Sequence, residues 1–459
     1  MKPKDPLLER WAEILGKKAD DPAIFNRDGE IVYSFRQIED RARDFESEIG
    51  NFQSGALVAV QIGNHEDWPS ILIACLRHQL VVLLIEQSIT DQQRDAALKV
   101  CRASAIVEGA GSIRKIGNAP PNWNGQMPSL LKLTSGTTAE PRAIRFRSSQ
   151  LLADCDQICD TMGISDVDLN FGVIAVSHSY GFSNLLTPLI GRGVPMVLSR
   201  DRTPRAVLDD IARTKATVFP GTPVFYQAFC EMENPPPLPE LRLCISAGAP
   251  LPVSVARKFR DRFGLSIHSF YGASECGGIC YDRDGTRDID GYVGEPMKNV
   301  DLEIVVEPKA KSTQIRVRSA AVGDAYFPDS EEQRLGKGTF VPDDLLTRDG
   351  EGFKIVGRVS DVINVAGKKV SPAEIEQVLL QFRGVRQAIA FGRPAAAEAL
   401  RNEEVVACVV GDAVSEDELL EFCRRELSSW QVPRKILILD AIPVDERGKI
   451  SRRELARRI

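Results

Sequence analysis

Short apolar runs alternate with helix-length amphipathic segments along most of this sequence, and this alternation restricts the fold more than any other feature. Residues 56–62 form an apolar run of strand length, residues 67–78 follow with helical periodicity, and residues 81–85 form a second apolar run. The same order recurs with apolar runs at 216–219 and 241–245 and helical segments at 223–231 and 253–263. Alternation of this kind builds parallel sheets with helices on both faces. The sequence therefore predicts an α/β fold with a large N-terminal domain of mostly parallel sheets packed by helices.

The pattern changes near residue 358, which we take as a domain boundary. Residues 359–459 are predicted to run strand, helix, strand, helix, strand. A segment of this length suits one small α+β domain. We therefore predict two domains, 1–358 and 359–459.

Two local signals are present near the N-terminus. Ser34 and Gln37 are spaced as a capping box for a helix that runs to about Phe45. Just before them, Asp28-Gly29 is typical of a hairpin turn.

Charge and apolar patterning exclude several classes of protein. The 459 residues include 58 Lys and Arg against 64 Asp and Glu, and the net charge of −6 argues against a protein built mainly to bind nucleic acid or anionic membrane. The longest aliphatic run, residues 80–85, is far too short to cross a bilayer. Residues 1–20 lack the apolar stretch of a signal peptide. We therefore expect a cytoplasmic protein with no membrane span.

Cysteine and histidine usage indicates neither a disulfide framework nor a His-based metal site. Ten cysteines in 459 residues are too few for such a framework, and a reducing compartment is the simplest interpretation. Cys155 and Cys159 are four residues apart, as are Cys276 and Cys280, but neither pair has a second close pair beside it. We interpret these four as packing residues. The four histidines are too scattered to form a metal site.

One polar loop carries groups suited to a polyphosphate. The strand-like residues 130–133 lead into hydroxyls, one glycine and one cation, Thr134-Ser135-Gly136-Thr137-Thr138-Ala139-Glu140-Pro141-Arg142. In such a loop backbone N–H groups and hydroxyls wrap phosphate oxygens, Gly136 permits close approach, and Arg142 adds charge. An ordinary polar surface loop is the alternative. A Walker A loop is excluded, because the Gly-Lys pairs at 336–337 and 448–449 lack the earlier glycine and the following hydroxyl.

This segment resembles the phosphate loop of the adenylate-forming superfamily, which includes acyl-CoA synthetases, luciferases and the adenylation domains of peptide synthetases. In that family the loop commonly reads Thr-Ser-Gly-Thr-Thr-Gly-x-Pro-Lys-Gly. Further family landmarks follow in order: Tyr271-Gly272-Ala273-Ser274-Glu275, Gly291-Tyr292-Val293-Gly294-Glu295-Pro296, Asp344, Gly357-Arg358-Val359-Ser360-Asp361, Gly367, Ser371-Pro372-Ala373-Glu374-Ile375-Glu376 and Arg447-Gly448-Lys449-Ile450. The resemblance covers nearly the whole chain. It implies an AMP-binding and acyl-binding domain at 1–358 and a mobile lid domain at 359–459.

The resemblance implies a nucleotide site assembled from several of these segments. Its predicted nucleotide-binding residues are Thr134, Ser135, Gly136, Thr137, Thr138, Arg142, Ala247, Gly248, Ala249, Tyr271, Gly272, Ala273, Ser274, Asp344 and Arg358. Tyr271 is expected to stack on adenine, and Asp344 to accept hydrogen bonds from the ribose with Arg358 nearby. Glu275, in a loop after a predicted strand at 265–270, is expected to bind Mg²⁺ together with Thr138. The alternative for Tyr271 is a core aromatic residue, and for Asp344 or Arg358 it is a surface salt bridge. The alternative for Glu275 is a solvated carboxylate.

The resemblance places the acyl-substrate pocket at His178, Phe182 and Gly277. Peptide-synthetase domains for α-amino acids carry an Asp in the His178 segment that pairs with the substrate ammonium, and His178 offers no such anion. Together with the small residues at 247–249, 277 and 278, this favours an uncharged fatty or aryl acid. A structural role for the histidine and tight backbone packing at the glycines are the alternatives.

Lys449 is the predicted catalytic residue, because a mobile ammonium would offset charge that develops as pyrophosphate leaves. By the same resemblance Gly367 lines the thiol tunnel and Ser360 is the hinge between domains. We interpret the later arginines as a solvated basic tail, namely Arg452, Arg453, Arg457 and Arg458.

The sequence departs from the family pattern at several positions. Ala139 and Ala143 replace glycines, Arg142 replaces a lysine and keeps its charge, and Pro342-Asp343 replace Thr-Gly. None of these departures removes a group that the chemistry requires.

The predicted activity is ATP- and Mg²⁺-dependent conversion of a carboxylic acid to an acyl-adenylate, followed by transfer to a thiol. Only ten residues follow Lys449, so we expect the thiol in trans, with coenzyme A preferred. The alternative acceptor is the phosphopantetheine of a separate acyl carrier protein. Two other classes of protein are alternatives, a catalytically inactive relative acting as a binding module and a P-loop ATPase or kinase.

Overall fold

The computed structural model describes residues 5–109, 112–134, 141–305, 313–328, 333–365, 368–394, 403–443, 452 and 455–456. Within these limits the chain divides into two compact units. The first comprises Met1–Glu303, Arg316–Pro342 and Gly350–Phe353, and the second Ile304–Ile315, Asp343–Asp349 and Lys354–Ile459. The architecture is α/β, with a large N-terminal part and a small C-terminal part, which confirms the predicted fold class. A functional boundary at residue 358 stays a prediction.

The helices of the described residues are α1 (Pro6–Lys18), α2 (Phe35–Ile49), α3 (Trp68–Arg77), α4 (Asp91–Cys101), α5 (Ser148–Met162), α6 (Ser179–Gly181), α7 (Thr187–Arg192), α8 (Pro204–Thr214), α9 (Pro223–Glu231), α10 (Val253–Phe263), α11 (Pro372–Gln381) and α12 (Glu416–Glu426). A π-helical turn spans Phe182–Leu186, and a 3₁₀ turn spans Val359–Asp361.

The strands are β1 (Pro22–Phe25), β2 (Ile31–Ser34), β3 (Leu57–Gln61), β4 (Val81–Leu84), β5 (Ala105–Glu108), β6 (Ser112–Lys115), β7 (Leu130–Leu133), β8 (Ala143–Phe146), β9 (Asn170–Gly172), β10 (Met196–Leu198), β11 (Val218–Gly221), β12 (Leu243–Ser246), β13 (Ile267–Ala273), β14 (Gly277–Tyr281), β15 (Tyr292–Pro296), β16 (Asp301–Val305), β17 (Gln314–Arg318), β18 (Ala325–Phe327), β19 (Leu335–Gly336), β20 (Thr339–Phe340), β21 (Asp344–Asp349), β22 (Gly352–Arg358), β23 (Ile363–Val365), β24 (Lys368–Val370), β25 (Val385–Pro394), β26 (Glu403–Gly411) and β27 (Lys435–Ile438).

Two sheets organise the first unit. In the larger one the strands of this unit follow the order β2–β1–β10–β9–β11–β12–β13–β14–β15, and the run from β1 to β13 is parallel. The second has the order β18–β8–β7–β4–β3–β5–β6, with a parallel centre and antiparallel edges. The parallel centres confirm the expectation drawn from the strand–helix alternation. They are lined by fully buried aliphatic residues, as parallel strands covered on both faces require.

Local sequence signals account for several element boundaries. The Ser34 hydroxyl accepts a hydrogen bond from the Gln37 N–H at 3.2 Å, and the Gln37 side chain accepts from the Ser34 N–H at 2.8 Å, which confirms the capping box. Helix α2 continues to Ile49, beyond the predicted end. Helices α9 and α10 have the predicted bounds. Gly264 ends α10 with φ +69°, a left-handed conformation that glycine adopts without strain.

The second unit has its own core beneath a three-stranded sheet. Strands β25 and β26 pair antiparallel, and β27 pairs parallel with β26. Helices α11 and α12 bury Ile375 and Leu419 completely against this core. The predicted order of strand, helix, strand, helix, strand was incomplete. Strands β23 and β24 form a hairpin before α11, and β25 and β26 are two strands where one was expected.

No helix in the described part of the chain combines the length and the apolar content needed to cross a bilayer. All ten cysteines are free thiols.

Candidate active site

The carboxyl ends of β9, β11, β12 and β13 meet at one edge of the larger sheet. In open α/β sheets this edge is where ligands bind. The segment that leads to His178 follows β9, residues 247–249 follow β12, and Tyr271 lies near the end of β13. Three of the predicted site segments therefore come to one edge, although 93 residues separate His178 from Tyr271 in the sequence.

Glu275 lies at the tip of a β-hairpin. Strand β13 runs on to Ala273 and pairs antiparallel with β14, so Tyr271 lies opposite Cys280 and Ala273 opposite Gly277. The prediction of a strand ending at residue 270 was therefore too short. The pairing with β14 extends the strand, and the three residues 274–276 form the turn.

The carboxylate and the backbone of Glu275 are both held by the segment at 323–326. The Tyr326 hydroxyl donates a hydrogen bond to Glu275 Oε1 at 3.1 Å, and the Gly323 N–H donates to the Glu275 carbonyl at 2.9 Å. Glu275 is half-buried. Next to it, Cys276 is fully buried, and burial, with the nearby Glu275 and Asp154 carboxylates, raises the pKa of its thiol. The thiol is therefore neutral, and the exposed chemistry of this turn belongs to the carboxylate.

The predicted phosphate loop connects the antiparallel strands β7 and β8. At its base the Thr134 N–H donates to the Arg142 carbonyl at 2.8 Å, and the Thr134 hydroxyl donates to the same carbonyl at 3.2 Å. Four predicted phosphate-binding residues lie outside the described residues, namely Ser135, Gly136, Thr137 and Thr138. Their roles stay predictions.

Arg142 and Glu275 contact the same tyrosine. The Arg142 guanidinium carbon lies 4.3 Å from the centre of the Tyr326 ring, a cation–π distance. Strand β18 carries Tyr326 beside β8, with Tyr326 opposite Ile144, and this pairing sets the ring next to the base of the phosphate loop. Sequence analysis missed Tyr326. No local pattern marks it, because its role depends on the pairing of β18 with β8.

The His178 segment leads into a short helix that contacts the same hairpin. His178 Nδ1 accepts a hydrogen bond from the Tyr180 N–H at 3.2 Å and so caps α6. The Ser179 hydroxyl donates to the Ser274 hydroxyl at 3.1 Å, which ties this helix to the turn that carries Glu275. Phe182 is fully buried. The structural alternative for His178 is therefore supported, whereas its contact with an acyl group stays a prediction.

The small residues of the site have distinct environments. The Ala247 N–H donates to the Gly221 carbonyl at 3.3 Å, while Gly248 takes φ +87° and is exposed together with Ala249. A Cβ on Gly277 would lie 2.0 Å from a carboxylate oxygen of Asp154. Glycine is required at 277 by this close packing, which was the alternative to an open pocket.

The second unit brings together two predicted ribose-binding residues. Arg358 Nε lies 2.8 Å from Asp344 Oδ1, and the Asp344 side chain is buried while that of Arg358 is exposed. Ser360, the predicted hinge residue, has its backbone in the 3₁₀ turn. Lys449 and Gly367, the predicted catalytic and thiol-tunnel residues, lie outside the described residues.

The expectation of a solvated tail is wrong for Arg452. Its guanidinium donates to Asp361 Oδ2 at 2.6 Å, to Glu376 Oε1 at 2.8 Å and to the Ala390 carbonyl at 3.0 Å. Basic residues in a row indicate exposure only when no acid faces them, and here two acids from distant segments converge on one arginine.

The donor set suits a magnesium ion that takes most of its ligands from a nucleotide. Among the residues that the structure describes, no group of three or more metal-ligating side chains is present. Mg²⁺ in nucleotide sites is typically held by one or two carboxylates together with phosphate oxygens and water. Glu275, with one carboxylate oxygen bound by Tyr326, matches that requirement.

Comparison with known proteins gives matches along most of the chain. The profile of AMP-binding enzymes matches residues 114–327, and that of the AMP-binding enzyme C-terminal domain matches residues 374–449. A probable CoA ligase of Humulus lupulus is 28% identical over 346 residues, covering 72% of this chain and 65% of the relative, slightly less than two thirds of its length. A feruloyl-CoA synthase of Amycolatopsis is 27% identical over 363 residues, 76% of this chain and 74% of the relative.

A relative with a different acceptor and one solved structure complete the comparison. A 3,4-dihydroxybenzoate–[aryl-carrier protein] ligase of Bacillus anthracis is 26% identical over 336 residues, covering 73% of this chain and 75% of the relative. The crystal structure of ATP-bound MatB from Rhodopseudomonas palustris superposes with a TM-score of 0.85 at 21% identity and covers 98% of both chains. At this identity the solved structure establishes the fold alone.

Proposed function

This chain belongs to the adenylate-forming superfamily of AMP-dependent acid ligases, and from that premise we propose that it activates a carboxylic acid with ATP and transfers the acyl group to a thiol. In the first step a substrate carboxylate oxygen bonds to the α-phosphorus, and the bond to pyrophosphate breaks. In the second step the thiol sulfur bonds to the acyl carbon, its proton is lost, and AMP leaves. The products are an acyl thioester, AMP and pyrophosphate.

One observation carries this proposal: Arg142 and Glu275 converge on Tyr326 at the base of the phosphate loop. A cation and a carboxylate at one end of a Thr/Ser/Gly loop are what a magnesium-bound polyphosphate needs. Arg142 neutralises phosphate charge, and Glu275 would hold the magnesium ion, which when bound would offset the charge of the leaving pyrophosphate. Groups fixed before the reaction stabilise developing charge without reorganisation. We assign to Tyr326 the role of holding Arg142 and Glu275 in place before the reaction.

The two parts of the chain divide the work in this proposal. Residues 1–358 bind the nucleotide and the acid, and residues 359–459 carry Lys449 to the reacting carboxylate and α-phosphate. Asp344 accepts from the ribose hydroxyls, and its ion pair with Arg358 orients the carboxylate.

We propose an uncharged fatty or aryl acid as the substrate and coenzyme A as the preferred acceptor. The sequence following β9 offers His178 and no carboxylate to pair with an α-ammonium group. The feruloyl-CoA synthase among the relatives supports an aryl acid and coenzyme A. The aryl-carrier protein ligase supports the second candidate, transfer to the phosphopantetheine of a separate carrier protein.

Carboxylate-dependent ATP–pyrophosphate exchange tests the proposal. The purified chain is incubated with ATP, Mg²⁺, labelled pyrophosphate and a panel of fatty, aryl and α-amino acids, and label returned to ATP is measured. We expect exchange with fatty or aryl acids. Exchange with no acid would refute the activity, and a preference for α-amino acids would refute the substrate class. Thioester formation with coenzyme A or with a phosphopantetheinylated carrier then distinguishes the acceptors.

A further inference from the structure

A buried ionic cluster lies behind the candidate active site. Lys132 Nζ lies 3.5 Å from the Ser183 hydroxyl oxygen, and that hydroxyl donates to Asp154 Oδ2 at 2.5 Å. Asp154 Oδ1 accepts the Gly278 N–H at 3.0 Å. All three side chains are at least 96% buried. The relay therefore runs from an ammonium through a hydroxyl to a carboxylate and ends on the backbone of β14.

The three side chains come from segments that otherwise meet at the site. Lys132 lies on β7, two residues before Thr134, and Ser183 follows Phe182 in the π-helical turn. Asp154 lies on α5 and binds the hairpin arm that follows Glu275. One set of buried hydrogen bonds thus joins three segments. They are the strand leading into the phosphate loop, the predicted acyl segment and the β13–β14 hairpin that carries Glu275.

Burial of this cluster carries a desolvation cost that an apolar core does not have. The Lys132 ammonium lies 4.7 Å from the centre of the Phe146 ring and 5.3 Å from that of Phe182, so aromatic faces replace water around it. Burial lowers the pKa of Lys132, opposed by the Asp154 carboxylate. Buried ion pairs are often matched or exceeded in stability by apolar residues of similar volume. What a directional relay supplies beyond an apolar core is one defined register of the segments it joins.

We propose that Lys132, Ser183 and Asp154 are positioning residues that hold the β13–β14 hairpin, and with it Glu275, in register with the strand that leads into the phosphate loop. This inference rests on the proposed function. The glycine at 277 supports it, because φ +69° and contact with Asp154 leave no space for a Cβ there. The hairpin is therefore pressed against the carboxylate that binds it.

The test uses three variants: Asp154→Asn, Lys132→Met, and the double variant that combines these two changes. The control variant is Asp210→Asn. Asp210, on α8, is a second fully buried carboxylate, paired with Arg213 on the same helix and with Arg27. None of these described ion pairs includes a residue of the candidate site. The measurements are the kcat of pyrophosphate exchange, the Mg²⁺ concentration for half-maximal exchange, the KM of the acid, and the rise in Tm caused by ATP with and without Mg²⁺.

We expect Asp154→Asn to lower kcat and raise the Mg²⁺ requirement by roughly 10- to 100-fold, because it removes a partner that orients the ligand-bearing hairpin. The KM of the acid should change little, and the Mg²⁺-dependent part of the Tm rise should shrink. Lys132→Met should act in the same direction, and the double variant should be no worse than Asp154→Asn, since both act through one relay. Asp210→Asn should lose stability and keep all kinetic constants.

The inference would be overturned if Asp154→Asn and Lys132→Met keep the wild-type kcat and Mg²⁺ requirement. It would also be overturned if their loss of activity is explained by their loss of stability alone, judged against Asp210→Asn. If Asp154→Asn does not fold, Ser183→Ala removes only the linking hydroxyl and is judged by the same criteria. Absence of exchange in the wild-type chain would refute the proposed function itself. The two failures are therefore distinguishable.

Discussion

The hydroxyl of Tyr326 lies 3.1 Å from a carboxylate oxygen of Glu275, although 51 residues separate them in the chain. The same tyrosine presents its ring face to the Arg142 guanidinium at 4.3 Å. One side chain thus contacts both the cation at the base of the phosphate loop and the carboxylate expected to hold magnesium. Its two contacts fix the separation of these charged groups before any substrate binds.

Tyr326→Phe should weaken magnesium binding while leaving the fold intact. The ring remains for Arg142, and the lost hydrogen bond costs about 1 kcal/mol of stability. Without the hydroxyl the Glu275 carboxylate loses a hydrogen bond that orients it, and losing such a partner typically costs about 10- to 100-fold in metal affinity or activity. Exchange rates measured against Mg²⁺ concentration test this.

Tyr33→Phe is the matched control, because the Tyr33 hydroxyl also donates to a carboxylate, that of Asp67 at 3.3 Å, outside the site. The prediction for Tyr326 is wrong if both variants show the wild-type Mg²⁺ dependence.

Gly277→Ala should destabilise the chain more than the same change at Gly264. Both glycines have φ +69°, so each alanine pays a similar backbone strain, about 1 kcal/mol. At Gly264 no atom lies within 4 Å of the new Cβ, whereas at Gly277 an Asp154 oxygen lies 2.0 Å away. The clash should add about 1–3 kcal/mol. Urea unfolding of both variants measures the difference, and equal losses would contradict the packing described.

Lys449→Ala should abolish most acyl-adenylate formation while sparing thioester formation. Removing one preorganised charge interaction at a transition state costs about 10²–10³ in rate, or ~3–4 kcal/mol. If the lid rotates the lysine away before the thiol reacts, preformed acyl-adenylate should still be converted at a near-normal rate. Equal loss of both steps in a folded protein, or full adenylation activity, would refute this role.

Arg452→Met should slow adenylation, because Arg452 anchors the chain three residues after Lys449 to Asp361 and Glu376. Displacement of the lysine by a loosened tail should lower the adenylation rate by roughly 10-fold. Arg452→Lys should recover part of the rate, since its ammonium keeps the positive charge but has one donor nitrogen where the guanidinium uses three.

Arg393→Met is the control for the tail, because Arg393 binds Glu404 with comparable burial and both residues lie on the paired strands β25 and β26. A rate loss of the same size in this control would indicate general destabilisation of the second unit.

Asp168→Asn should cost stability at neutral pH and less in acid. Burial alone raises the pKa of Asp168, but hydrogen bonds from Arg242, Ser165 and Thr217 more than offset it, so the folded-state pKa lies below its ordinary value. A carboxyl with a depressed folded pKa contributes stability above its unfolded pKa, about 3.9, and that contribution is lost as pH falls through the folded pKa.

Urea unfolding from neutral pH downward measures that difference. The difference in free energy of unfolding between Asp168→Asn and the wild type should become smaller as the pH falls below the unfolded pKa. If this difference in free energy does not depend on pH, the loss of stability in Asp168→Asn comes from packing and not from charge.

Features encoded by neighbouring residues were predictable from the sequence. The capping box at Ser34 and Gln37, the bounds of α9 and α10, and strand β7 before the phosphate loop depend on local periodicity and on residues three or four positions apart. The order of the family landmarks was equally local, and it led to the fold and the superfamily. Such signals persist because caps, turns and amphipathic faces are properties of short segments.

The contacts that organise the site came only from tertiary structure. Tyr326 reaches Glu275 because β18 pairs with β8, and Asp154 reaches Gly278 because α5 packs behind the β13–β14 hairpin. Arg452, one of several arginines in a basic segment, is distinguished only by the two acids that face it. Which side chains meet across a sheet depends on strand order and register. A shift of one residue in the pairing of β18 with β8 would turn Tyr326 to the opposite face of the sheet.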